Sequence, residues 1–163
     1  MKAVIRKGFK EDLPAVLNLI KELAEYEKEP HEVVVTLQDM ERDGFGENPI
    51  FKFLVAEVDK KIVGMALYYI KYSTWKGKCV YLDDIVITQS YRRKGLGKLL
   101  FEAVVKATKD VRAKRLEWQV LDWNTPAIEF YKNYDAKFLK EWLSCRLTEE
   151  EMKKMGNKSE VMK

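Results

Sequence analysis

Residues Tyr91-Arg92-Arg93-Lys94-Gly95-Leu96-Gly97-Lys98 carry the strongest chemical signal in the chain. They follow an apolar, β-branched run, Ile85-Val86-Ile87, and open a segment with helical apolar spacing. A strand, a glycine-containing turn and a helix start suit a phosphate, because helix N-termini leave N–H groups unpartnered and their dipole favours anions. Gly95 and Gly97 let a ligand come close to the main chain, and Arg92, Arg93, Lys94 and Lys98 add positive charge. By itself Arg-x-x-Gly-x-Gly often marks only a turn. Dinucleotide and P-loop patterns fit poorly, since Leu100 stands where a third glycine would and Leu99 follows Gly97-Lys98.

Two acids precede this stretch. Asp83 and Asp84 lie in a strand-like run, where aspartate is disfavoured. Neighbouring strand residues face opposite sides, so one could enter a cleft while the other pairs elsewhere. Glu25, Tyr26, Glu27 and Glu29 end the first predicted helix, where acids oppose the dipole, and suggest a rim for a cation. Trp75 could lend its ring to the same cation.

The elements that must position these residues are legible from periodicity. Val4 and Ile5 mark a first strand. Asp12 to Glu27 reads as an amphipathic helix with Asp12 as N-cap and Pro14 in its first turn. Thr36 to Arg42 reads as a second helix, capped by Thr36 and stopped near Gly44 and Gly46. Phe51 to Val58 and Ile62 to Tyr72 form a predicted hairpin, followed by a strand over Cys79 to Thr88. Leu96 to Lys109 is a helix, Arg115 to Leu121 a strand, and Thr125 to Asn133 a helix capped by Thr125. Ala136 to Leu147 should supply one or two last strands. The fold class is α/β (α+β), a mixed sheet with helices on both faces. One domain over 1–148 and a short charged helix and tail over 149–163 are expected.

Composition narrows the function classes. The 163 residues are 47% hydrophobic and 34% charged, which argues against disorder. A net charge of +4, from 30 Lys+Arg and 26 Asp+Glu, is spread along the chain and forms no basic stripe for nucleic acid. Cys79 and Cys145 make no close-spaced motif, and the one histidine, His31, has no clustered partner in sequence, so no metal is expected. No apolar run has transmembrane length and the first residues lack a signal-like core, so a cytoplasmic protein away from membranes is expected.

The sequence resembles the GNAT N-acetyltransferase superfamily. Its pyrophosphate loop, Gln/Arg-x-x-Gly-x-Gly/Ala, is matched by Arg92 to Gly97. Its later Asn…Phe-Tyr signature is matched by Asn124-Thr125-Pro126-Ala127-Ile128-Glu129-Phe130-Tyr131. The likeness extends to the spermidine/spermine, diamine and thialysine acetyltransferase branch through Ile20 to Glu27, Asp43 to Pro49, Leu54 to Val58, Trp75 to Lys78 and Tyr81 to Asp84. It implies acetyl-CoA as donor and the primary amine of a small diamine, polyamine or thialysine-like acceptor. The loop residues Arg92, Arg93, Lys94, Gly95, Leu96, Gly97 and Lys98 would hold the diphosphate, Ile85, Val86 and Ile87 would pair with the pantetheine arm where the strand splays at a bulge, and Asn124 would contact the coenzyme. Tyr131 would sit against the coenzyme and protonate the leaving thiolate. Asp83 would accept the amine proton, directly or through water, and Tyr26, Glu27, Trp75, Asp83 and Asp84 would hold the acceptor. The resemblance also implies a homodimer. The chain departs from the branch at Ser73-Thr74, where Asp-Pro is usual, and at Asp135, where glycine is usual. A protein N-acetyltransferase and a non-catalytic CoA-binding module are the alternatives.

Overall fold

The computed structural model describes residues 2–155, so the end of the charged tail lies outside the described residues. Two compact units emerge, Met1–Gln119 and Val120–Lys163. The first contains β1 (Ala3–Lys7), α1 (Leu13–Tyr26), α2 (Leu37–Phe45), β2 (Lys52–Val58), β3 (Lys61–Ser73), β4 (Gly77–Ile87), α3 (Leu96–Asp110) and β5 (Leu116–Glu117). The second contains α4 (Thr125–Lys132) and α5 (Glu149–Lys154).

The five strands form one sheet in the order β1-β2-β3-β4-β5. All neighbours are antiparallel except β4 and β5. The β2–β3 hairpin closes through Asp59 and Lys60 at φ 47° and 67°, the paired left-handed conformation that suits a two-residue hairpin turn. Alternation sorts the side chains onto two faces. Phe53, Val55, Met65 and Val86 form one core with Leu13, Val16 and Leu19 of α1 and Met40 of α2. Ile87, the next residue along β4, points the other way and meets Gly97 of α3. Helix α3 packs on β4, β3 and β2, with Leu96, Leu100, Phe101 and Val104 buried. The mixed sheet with helices on both faces is therefore as expected.

Local chemistry explains the helix starts. Thr36 caps α2, and Asp39 returns the bond in a capping box. Asp12 does not cap α1: its carboxylate accepts the Phe9 N–H at 2.8 Å and two bonds from the Arg6 guanidinium at 2.7 and 2.9 Å. Those Arg6 bonds hold its pKa below the ordinary carboxylate value. Arg6 also donates to Glu57 at 2.9 Å, tying β1 to β2.

Three further expectations need correction. Helix α4 is capped by Asn124, whose side chain accepts from Ala127 N–H at 3.4 Å; Thr125 is its first helical residue. Strand β5 has two residues where seven are expected, pairing only Val80 with Leu116 and Tyr81 with Glu117. Beyond that point β4 bulges, and a bulge bends and twists its strand. Finally, residues 136–147 form no strand. Apolar, aromatic residues become a strand only where a sheet edge receives them, and no described strand pairs with this segment. Asp135, in place of the usual glycine, takes the left-handed conformation at φ 55°, so the turn after α4 survives.

Candidate active site

The turn from β4 into α3 is built for close approach to its main chain. Thr88 N–H bonds Val63 O at 2.8 Å, fixing the point where the chain leaves the sheet. Arg93 and Gly95 are left-handed, at φ 59° and 80°. A Cβ on Gly95 would meet nothing within 4 Å, so its outer face is open space. Leu99 N–H is bonded to Gly95 O at 3.1 Å as the helical ladder begins, which leaves the amides of Leu96, Gly97 and Lys98 outside the ladder. The buried Leu96 side chain anchors this helix start. Left-handed residues beside a helix N-terminus let N–H groups converge on an anion, so the turn fits a diphosphate.

The cations are more dispersed than their spacing suggests. Arg92 donates from Nε to Ile87 O at 2.9 Å and lies 5.0 Å from the Tyr26 ring centre. Lys94 sits 4.8 Å from the Tyr91 ring centre, and Lys98 bonds Glu102 at 2.6 Å. Arg93 is exposed.

On β4, Ile85, Val86 and Ile87 pair with Ala66, Met65 and Gly64 of β3. On the other side, β5 accompanies β4 only at Val80 and Tyr81. From Leu82 onward no strand of this unit pairs with that edge, and an extended ligand could add to it by main-chain bonds. The bulge lies earlier than Ile85: Leu67 faces Asp84 while Tyr68 faces Leu82, leaving Asp83 as the extra residue.

That extra residue places Asp84 on the α1 face. A cavity of about 180 Å³ lies there, lined by Ile20, Leu23, Ala24, Glu27, Glu29, Glu32, Val33 and Asp84. Burial, reinforced by the charges of Asp83 and Glu27, pushes the Asp84 carboxyl up to about 7. Burial also raises Glu27. Asp83 is exposed by area, yet the surrounding protein still pushes its pKa up. The rim includes Glu29 and Glu32, which place carboxylate oxygens 3.2 and 3.6 Å from His31 Nε2. His31, for which no clustered partner is expected, thus has its sequence neighbours Glu29 and Glu32 beside it; all three side chains are exposed.

The structure divides the other candidates. Glu27 joins Asp84, whereas Tyr26 faces a separate cavity with Glu22, Glu25, Gln89 and Arg92. Trp75 stands at the exposed tip between β3 and β4. It is eight residues past Leu67, the partner of Asp84, or about 26 Å along an extended chain, and does not line the Asp84 cavity. In the second unit, α4 carries Tyr131, which is buried, and is capped by Asn124. Sequence reasoning missed Glu32, and gave Glu22 no role of its own.

Sheet, helices and turn define the N-acyltransferase fold. The chain belongs to the acetyltransferase (GNAT) family, whose model matches residues 13–135, and it is an N-acetyltransferase. It is 37% identical over 165 residues to thialysine N-epsilon-acetyltransferase of Mus musculus, covering 94% of this chain and 97% of that protein. It is 35% identical over 162 residues to the Homo sapiens spermidine/spermine N(1)-acetyltransferase-like protein 1, covering 93% of this chain and 23% of that protein. Among solved structures, a Vibrio cholerae integron cassette protein (V.cholerae VCH_CASS6) shares the fold with a TM-score of 0.78 at 24% identity, covering 95% of this chain and 98% of that one. An aminoglycoside N-acetyltransferase in complex with CoA shares it with a TM-score of 0.71 at 18% identity, covering 90% and 95%.

Proposed function

We propose that this N-acetyltransferase takes its acetyl group from acetyl-CoA and transfers it to the primary amine of a small cationic acceptor, a thialysine-like amino acid or a diamine. The observation that carries the acceptor class is the small cavity in which Asp84 and Glu27 meet. Acids gathered in partly desolvated surroundings repel one another, and a bound ammonium relieves that repulsion. Thialysine, the acceptor in the name of the 37% identical Mus musculus relative, is of the same chemical kind. The acid lining of that cavity suits a cationic amine.

Bound acetyl-CoA supplies an activated thioester. The amides at Gly95 to Lys98 would hold its diphosphate, with Arg93 and Lys94 alongside, and the β4 edge over Ile85 to Ile87 would align its arm. An alkylammonium of pKa ~10 must lose a proton before it attacks. Asp84, titrating at about 7, accepts that proton near neutral pH. Asp83, one residue away on the bulge, holds the water or ammonium that delivers it. Tyr131 would donate a proton to the departing thiolate and Asn124 would contact the coenzyme; the Asn…Phe-Tyr signature supports both roles. A homodimer completes the reading on the same resemblance.

The test is acetyl-CoA turnover against thialysine, lysine, putrescine, spermidine and short lysine peptides. Thialysine or a diamine should give the highest kcat/KM by at least tenfold. A peptide turned over fastest, or no turnover with any small amine, would overturn the acceptor assignment.

A further inference from the structure

Helix α1 reaches across the molecule to the coenzyme turn. Glu22 accepts the Thr88 hydroxyl at 2.6 Å through one carboxylate oxygen and the Gln89 N–H at 2.8 Å through the other. One turn further along the helix, Tyr26 lies beneath the Arg92 guanidinium at 5.0 Å. Arg92 in turn donates to Ile87 O at 2.9 Å. Residues 87 to 92 are therefore held at both ends from one face of one helix. The next residue, Glu27, turns into the acid-lined cavity.

We infer that Glu22 is a positioning residue for the coenzyme: with Tyr26 and Arg92 it clamps the Ile87–Arg92 turn, so that α1 fixes the coenzyme turn and the acceptor carboxylates in one frame. This rests on the reading that the turn binds acetyl-CoA. Glu22 itself touches no reacting atom. Its two bonds set where the chain leaves β4, and the left-handed residues Arg93 and Gly95 follow within seven residues of Thr88. A supporting group of this kind acts through precise placement of the groups that bind. Arg92 thereby serves as a latch within the protein as well as a local positive charge.

The experiment compares Glu22→Ala and Glu22→Gln with the parent protein. It uses CoA binding by calorimetry, KM for acetyl-CoA and for the best acceptor, and thermal unfolding. Glutamine can accept from Gln89 N–H and donate to the Thr88 hydroxyl, so Glu22→Gln should stay within about threefold of the parent. Glu22→Ala should weaken CoA binding and raise KM for acetyl-CoA by about tenfold, while KM for the acceptor changes by less than about threefold. Thr88→Val in the alanine background should add little, because the two residues share one interaction. If the parent binds CoA and Glu22→Ala binds it equally well while merely unfolding at a lower temperature, Glu22 is a packing residue and the inference fails alone. If the parent does not bind CoA, the assignment of the turn fails and the inference with it.

Discussion

Asp84 is the residue whose surroundings most alter its chemistry. Folding raises its pKa from the ordinary 3.8 to about 7. Between those values the folded protein holds a proton that the unfolded chain has released, so stability falls as pH rises through this window and the full cost is present above it. Asp84→Asn cannot ionise and escapes that cost. Its melting temperature should exceed the parent's at pH 8, and the two should converge toward pH 4 in calorimetric scans. Equal melting temperatures at pH 8 would show that Asp84 ionises freely in the folded protein. For Tyr131 the proposed role is confined to the leaving group. Tyr131→Phe should lower kcat by about 10²-fold or more with CoA affinity nearly kept, measured by turnover and calorimetry.

At the scale of elements, two glycines near the end of β4 do different work. Gly64 lies opposite Ile87, where a Cβ would come within 2.3 Å of Ile87 Cδ1 and 2.8 Å of Val86 O. Backbone cannot yield as a side-chain tip can, so Gly64→Ala should cost about 1–3 kcal/mol in urea unfolding. Gly95 has open space but a φ of 80°, so Gly95→Ala should cost only about 1–2 kcal/mol while its methyl intrudes on the bound diphosphate and raises KM for acetyl-CoA. The reverse pattern, with coenzyme affinity lost at Gly64 and kept at Gly95, would contradict this division. Element types were legible because α1 and α3 carry regular apolar stripes and a short polar run separates the strand-like segments of the β2–β3 hairpin. Strand extent was not, since alternation over Arg115 to Leu121 says nothing about how far a neighbouring edge runs beside it. The segment 136–147 shows the same gap: its composition suits a strand, but pairing is decided by a partner.

At the scale of the whole molecule, the net charge of +4 hides an acid-lined cavity. Sequence placed Asp83 and Asp84 side by side but could not show that a bulge at Asp83 would set Asp84 on the α1 face with Glu27. Nor could it separate Tyr26 from Glu27, because which side of a helix end each residue serves depends on what packs there. The turn proposed for the diphosphate was legible as a turn because its conformation, left-handed at Gly95 with a helix start after it, is a sequence-local property. The cavity proposed for the acceptor was only partly readable because it joins residues more than fifty positions apart. The measurement that bears most directly on this account is the pH dependence of kcat, from pH 5.5 to 9, for acetyl transfer to the best small amine by the parent and by Asp84→Asn. The parent should rise through a midpoint near 7, and Asp84→Asn should lose at least 10²-fold in kcat together with that midpoint. A variant that kept the parent's rate and profile would show that the cavity at Asp84 is not where the amine gives up its proton.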